Sequence, residues 1–146
     1  MIKLHRYLDN YQFYNTCKEV QFWNQLIPKD TEDKLSIAIE EFQRELNWDG
    51  MWSISDAYER LSDGWCLSVL NIDDKVRGWS WLNYHTKEYL NLYVHKDFRN
   101  KGYGFNLVSS GITAGKLRKL DYLWSEVDDW NINSINLLKK CGYEIQ

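Results

Sequence analysis

The chain has 146 residues, a formal net charge of −3, and one proline against eight tryptophans and ten tyrosines. That length suits a single domain, 1–146, with a substantial core. Its short apolar runs and the lack of a basic-then-apolar opening argue against a signal peptide or membrane span, so a cytoplasmic protein with no membrane partner is expected. The acidic balance disfavours nucleic-acid binding. Cys17, Cys66 and Cys141 are far apart and lack Cys-x-x-Cys spacing or a nearby histidine, which predicts reduced thiols, no disulfide and no metal.

Charge is unevenly placed. Residues 31–64 carry nine acids (Glu32, Asp33, Glu40, Glu41, Glu45, Asp49, Asp56, Glu59, Asp63) against Lys34, Arg44 and Arg60, leaving the remainder net positive. Such a stretch reads either as a solvated helix face or as the border of a site for a cationic partner, with the basic remainder holding a polyanion.

Ile2–Tyr7 alternates apolar and polar residues and predicts a first strand. Asp9 or Asn10 then caps an expected helix with Phe13, Cys17, Val20 and Ile27 at helical spacing, stopped by Pro28. Thr31 opens a second helix with a stripe of Leu35, Ala38, Ile39, Phe42 and Leu46; residues 48–52 form a linker, and Ser55 caps a short helix through Leu61. From Trp65 the period changes to that of strands. Trp65–Leu70 and Lys75–Tyr84 make a hairpin about the turn Asn71–Asp74, and Glu88–Val94 adds a third antiparallel strand. Phe105–Leu120 is helical, with Gly111 and Gly115 allowing close packing; Tyr122–Val127 is a buried strand, Asn133–Cys141 a helix stopped by Gly142, and Tyr143–Gln146 a last strand.

The informative stretch is Arg99-Asn100-Lys101-Gly102-Tyr103-Gly104, between a strand and a helix start. Unpaired amides and the positive end of a helix dipole meet there, which suits a phosphate. The spacing lacks the Lys-Ser/Thr of a nucleotide-triphosphate loop, and Leu107 stands where a dinucleotide fingerprint needs a third glycine. Arg-x-x-Gly-x-Gly remains, and alone it suits a pyrophosphate cradle or an ordinary strand–helix turn.

Three segments in order carry a resemblance to the GNAT acyltransferase superfamily: the hairpin Asp73-Asp74-Lys75-Val76-Arg77-Gly78; Leu92-Tyr93-Val94-His95 followed by the glycine loop; and Asn131-x-x-Ser134 ending in Lys140-Cys141-Gly142-Tyr143. The resemblance covers nearly the whole chain. It implies an α/β (α+β) GNAT fold: a central mixed sheet with an antiparallel N-terminal meander, helices on both faces, and a truncated C-terminal strand pair. It implies acetyl-CoA as acyl donor, no metal, and a small-molecule, peptide or protein amine as acceptor, for which the acidic segment favours a cation. By the same resemblance, Leu92, Tyr93 and Val94 pair through their backbones with the pantetheine arm; Arg99, Asn100, Lys101, Gly102, Tyr103 and Gly104 hold the pyrophosphate; and Asn131 and Ser134 contact the arm from the other side.

Glu88 matches the position of a base in some amine-acetylating members, and strand alternation groups it with Leu90, Leu92 and Val94, an apolar setting that raises a carboxyl pKa. The family's usual acid, a tyrosine, is replaced by Leu138, leaving Ser134 or Tyr143 as donors. That departure keeps a catalytically weak or inactive CoA-binding module as the alternative. The short C-terminus predicts a missing or borrowed last strand and hence an open edge that pairs two copies into a homodimer.

Overall fold

A computed structural model describes residues 1–8, 17–24, 26–47 and 51–146. Its elements are β1 (Ile2–Tyr7), β2 (Val20–Trp23), α1 (Lys29–Leu46), α2 (Ile54–Ser62), β3 (Trp65–Ile72), β4 (Lys75–Asn83), β5 (Tyr89–Val94), a 3₁₀ turn (Lys96–Phe98), α3 (Tyr103–Leu117), β6 (Tyr122–Val127), α4 (Ile132–Lys140) and β7 (Glu144–Ile145). The strands form two antiparallel sheets, β2-β3-β4-β5 and β6-β1-β7, joined by one parallel bridge between Glu88 and Trp124. One core cluster, with Leu107, Val108 and Ile112 of α3 close to it, packs Leu4, Tyr89, Leu123 and Leu138 beneath α3 and α4. The other packs Leu35, Ile39, Leu61, Trp79 and Trp81 beneath α1 and α2.

The expected first helix is corrected here. Its start and Phe13 lie outside the described residues, and Val20–Trp23 is a strand pairing antiparallel with β3. Helical spacing of Cys17, Val20 and Ile27 was outweighed by β-branched and aromatic residues beside an edge that needed a partner. Pro28 begins a helix rather than stopping one: it is the N-cap of α1, and its carbonyl accepts from the Glu32 N–H. Leu46 at the end of the expected stripe is exposed. Ser53, not Ser55, caps α2, in a reciprocal box where Ser53 Oγ accepts from the Asp56 N–H at 3.1 Å and Asp56 Oδ2 accepts from the Ser53 N–H at 2.9 Å. The β3–β4 turn is tighter than expected, because Asp73 and Asp74 both take left-handed φ (51° and 66°) and the strands pair out to Ile72 and Lys75.

The C-terminal strand is short, as expected: β7 has two residues and pairs with β1, which lies between β6 and β7, a placement of the first strand that the sequence did not suggest. Arg6 of β1 is buried, and its Nε donates to the Cys141 carbonyl at 2.9 Å, placing a guanidinium at the C-terminus of α4.

At Gly78 of β4, an added Cβ would lie 2.5 Å from the Tyr93 carbonyl oxygen of β5. Any side chain there pushes the two strands apart. Gly78→Ala is expected to lower stability by about 1–3 kcal/mol, the usual cost of overpacking against backbone, read as a reduced denaturant midpoint at unchanged slope.

Candidate functional site

The site begins where β5 parts from β6. The Trp124 N–H donates to the Lys87 carbonyl at 3.1 Å, and among the described residues β5 and β6 meet only at the single parallel bridge between Glu88 and Trp124, with no ladder beyond it. Ser125 Oγ donates to the Tyr89 carbonyl at 2.7 Å at the base of the fork. Along β5 the register runs Trp81↔Leu90 and then Trp79↔Tyr93, so β5 holds one residue more than β4 there, and Asn91 sits at φ 57°. This is a β-bulge. The His95 N–H donates to the Arg77 carbonyl, so alternation directs the backbone groups of Tyr93 and His95 to β4 and those of Leu92 and Val94 into the fork.

The bulge corrects the expected phase of β5. Leu90 and Tyr93 pack with the α1–α2 cluster, while Leu92 packs with the α3–α4 cluster. Glu88 precedes Tyr89, whose ring lies against Gly111 of α3, so the glutamate occupies the opposite face. Its neighbours there include Glu126 and Lys3; burial first, and then the Glu126 charge, hold its pKa above the ordinary glutamate value.

The glycine loop follows. Asn100 and Gly102 are left-handed (φ 61° and 86°), and α3 starts at Tyr103 with no side-chain cap and no acid in its first turn. Its first helical bond runs from the Asn106 N–H to the Gly102 carbonyl, leaving the amides before it aimed off the end of the helix. The two glycines have different reasons. A Cβ on Gly102 would meet nothing within 4 Å, so glycine is there for its φ; a Cβ on Gly104 would come 2.9 Å from Leu137 Cδ2, so glycine is there for packing against α4. Arg99 folds back, its Nε donating to the Val94 carbonyl at 2.8 Å, and Lys101 Nζ lies 5.5 Å from the Phe98 ring. Amides, an uncapped positive helix end and open space above Gly102 fit a diphosphate.

Asn131 caps α4, its Oδ1 accepting from the Ser134 N–H at 3.3 Å, and Ser134 is half-buried. Leu138 is 3% exposed in the α3–α4 core. Tyr143 is 2% exposed, and burial drives its phenol well above the ordinary value. Cys66 and Cys141 are buried thiols pushed up to about 12, so neither is a ready thiolate. Among the described residues, no three His, Cys, Asp or Glu side chains form a metal-holding group, and no helix is long and apolar enough to cross a membrane.

Beside the bulge lies a cleft of about 260 Å³ lined by Phe42, Met51, Trp52, Arg60, Asn91, Leu92 and Tyr93. Arg60 is fixed there, with its guanidinium carbon 4.6 Å from the Trp65 ring centroid and 5.1 Å from that of Trp81, and Nη1 donating to Asn91 Oδ1 at 3.0 Å. Burial pulls its pKa below the ordinary arginine value. Sequence reasoning missed this wall. Its one local signal was Asn91, a residue type enriched at left-handed φ, inside an apolar strand.

Several of the described acids of 31–64 have partners outside the cleft. Glu41 pairs with Arg77, Glu45 with His95 and Lys96, Asp33 with Lys29, and Asp63 with His85, while Glu32 accepts from the Tyr58 hydroxyl. None of the described ones lines the cleft.

Comparison with known proteins agrees with this geometry. The model of the acetyltransferase (GNAT) family matches residues 23–143, from the last residue of β2 to the end of the α4 turn, leaving β1 outside the matched segment. A GCN5-related N-acetyltransferase from Sphaerobacter thermophilus superposes with a TM-score of 0.71 at 14% identity, over 99% of this chain and 48% of that one. AAC(6')-Iy, solved with the bisubstrate analogue CoA-S-monomethyl-acetylneamine, gives 0.67 at 15% identity over 86% of this chain and 90% of its own. A GNAT-family acetyltransferase from Staphylococcus aureus Mu50 gives 0.65 at 15% identity over 86% and 84%. The chain spans about half the length of the first of these and of a similar Drosophila protein. A search of curated protein sequences gave no match. With the family match running over the meander, the fork and the glycine loop alike, the chain belongs to the GNAT acetyltransferase family.

Proposed function

We propose that this chain is an acyl-CoA-dependent N-acyltransferase, with acetyl-CoA as donor, acting on a primary amine by direct transfer in a ternary complex formed by one domain, 1–146. The observation that carries this reading is the fork: β5 leaves β6 at Glu88, turns the backbone groups of Leu92 and Val94 into the opening, and leads to a helix N-terminus free of acids.

When bound, the donor supplies an acyl group on a thioester and a diphosphate. The loop from Arg99 to Gly104 holds the diphosphate through first-turn amides, helped by the charge of Lys101. Leu92, Tyr93 and Val94 align the arm, with Asn131 and Ser134 across from them. A backbone N–H on the fork edge of β5 donates to the thioester oxygen as negative charge grows there, an effect worth about 3 kcal/mol in comparable holes. The amine nitrogen forms the new C–N bond, the C–S bond breaks, and the proton lost from nitrogen passes to Glu88. The sulfur takes its proton from Ser134 or from solvent. Tyr143 is the poorer donor, because a phenolate left in the core would be unsolvated. Direct attack suits a chain whose two buried thiols are protonated.

Leu138, packed in the core where the family usually presents a tyrosine, favours a second reading, a CoA-binding module without turnover. Calorimetry with CoA and free-thiol release from acetyl-CoA with an amine panel separate the two: binding with amine-dependent release supports the enzyme, and binding without it the module.

The assigned roles make three variants informative. Gly102→Val places a β-branched residue at φ 86° and is expected to weaken CoA at least about tenfold in calorimetry, a left-handed backbone costing roughly 1–2 kcal/mol. Glu88→Gln is expected to lower kcat about 10²-fold or more and abolish the acidic limb of the kcat/KM profile. In the wild type that limb lies above the ordinary glutamate pKa, since the base form is lost as pH falls through a raised value. Glu126→Gln, which removes the like charge, moves the limb to lower pH.

A further inference from the structure

The cleft beside the bulge has a chemistry of its own. Its walls are aromatic and apolar: Phe42, Met51, Trp52, Leu92 and Tyr93. Its charged lining residue is Arg60, and none of the described residues forms an ion pair with that guanidinium. Arg60 carries five N–H donors in a rigid fork, and one of them is engaged, in the bond to Asn91 Oδ1. Stacking on Trp65 and Trp81 fixes its plane without using the others. A half-buried, oriented guanidinium with donors to spare is a receptor for a planar anion. The cleft also touches β5 at Asn91, Leu92 and Tyr93, and Leu92 is the residue it shares with the fork edge.

Resting on the acyltransferase reading above, we propose that the acceptor is a small amine that also bears a carboxylate, an α-amino acid with an apolar or aromatic side chain. Arg60 binds the carboxylate through its free N–H donors. The aromatic walls take the side chain, and the amine is left facing the β5 end of the cleft. A volume of about 260 Å³ has room for a molecule of that size. No described acid of 31–64 lines the cleft, and Asp56, one turn before Arg60 on α2, supports the charge of the guanidinium without entering the lining.

The test compares matched acceptors in the thiol-release assay: phenylalanine with phenylalaninamide, and methionine with methioninamide, each with acetyl-CoA, alongside calorimetry with CoA alone. The free acids are expected to exceed the amides about 10- to 100-fold in kcat/KM, the range of a hydrogen bond to a charged group. In Arg60→Met that ratio falls to near one, with the loss appearing in KM, and Arg60→Lys restores part of it. Should Arg60→Met fail to fold, Asn91→Asp keeps the question open to measurement: Asp tolerates left-handed φ, and its carboxylate competes for the guanidinium, so the ratio should collapse there too. Equal or better turnover of the amides, or no turnover of either free acid by protein that binds CoA, overturns the proposal and leaves the acyltransferase reading standing. No heat from CoA overturns both.

Discussion

One extra residue in β5 governs the chemistry of this molecule. A regular strand running from Tyr89 to Val94 would pair with β4 on one edge and, once bridged to β6 at Glu88, could continue pairing on the other. Asn91, at φ 57°, inserts one residue against β4 and turns the strand. Pairing with β6 stops at the single bridge, and the backbone groups of Leu92 and the Val94 N–H are left facing an open fork, while the Val94 carbonyl is taken by Arg99 Nε. Unpaired backbone groups near a core are costly unless something bonds to them. A site that keeps such groups open on its rim is prepared for an extended ligand.

The loop was legible because its residues answer to the backbone. Gly102 adopts φ 86° with open space above it, and no side chain in the first turn of α3 competes for its amides, so the spacing in sequence translates directly into a cradle. β1 was legible as a strand, yet its partners were not: alternation in Ile2–Tyr7 reports a face and says nothing of which strands lie alongside. β2 was misread for a related reason. Four residues are too few to establish a period, and neighbouring apolar positions completed a helical one by coincidence. The bulge was hidden in plain view, because Leu90-Asn91-Leu92 reads as perfect alternation while the structure places its two leucines in different cores.

Charge shows the same gap between composition and place. The acids of 31–64 dominate any count, but Asp33, Glu41 and Glu45 sit on the surface of α1, where water and the counter-charges of Lys29, Arg77, His95 and Lys96 absorb them. Arg60 is one cation in that same segment. Half-buried against two indole rings, it acts through a medium that screens it less, and so it outweighs its neighbours in deciding what the cleft will hold.

The fork and the cradle must also stay in register with each other, and α3 provides that link. Ser110 and Gly111 let the helix approach the meander closely: Ser110 Oγ and Ser68 Oγ are hydrogen-bonded at 2.8 Å, and a Cβ on Gly111 would lie 2.6 Å from the Tyr89 ring. Tyr89 is the first residue of β5, where the strand leaves β6, and its carbonyl is the one that Ser125 holds. The helix whose N-terminus forms the cradle is thus keyed to the residue where the fork opens. Widening that contact would tilt α3 and move the amides away from the strand edge, which is why Gly111 in mid-helix, costly to helix propensity by up to about 1 kcal/mol, is tolerated there. Packing beneath the site, rather than the loop alone, sets the distance over which one ligand must reach from diphosphate to acyl group.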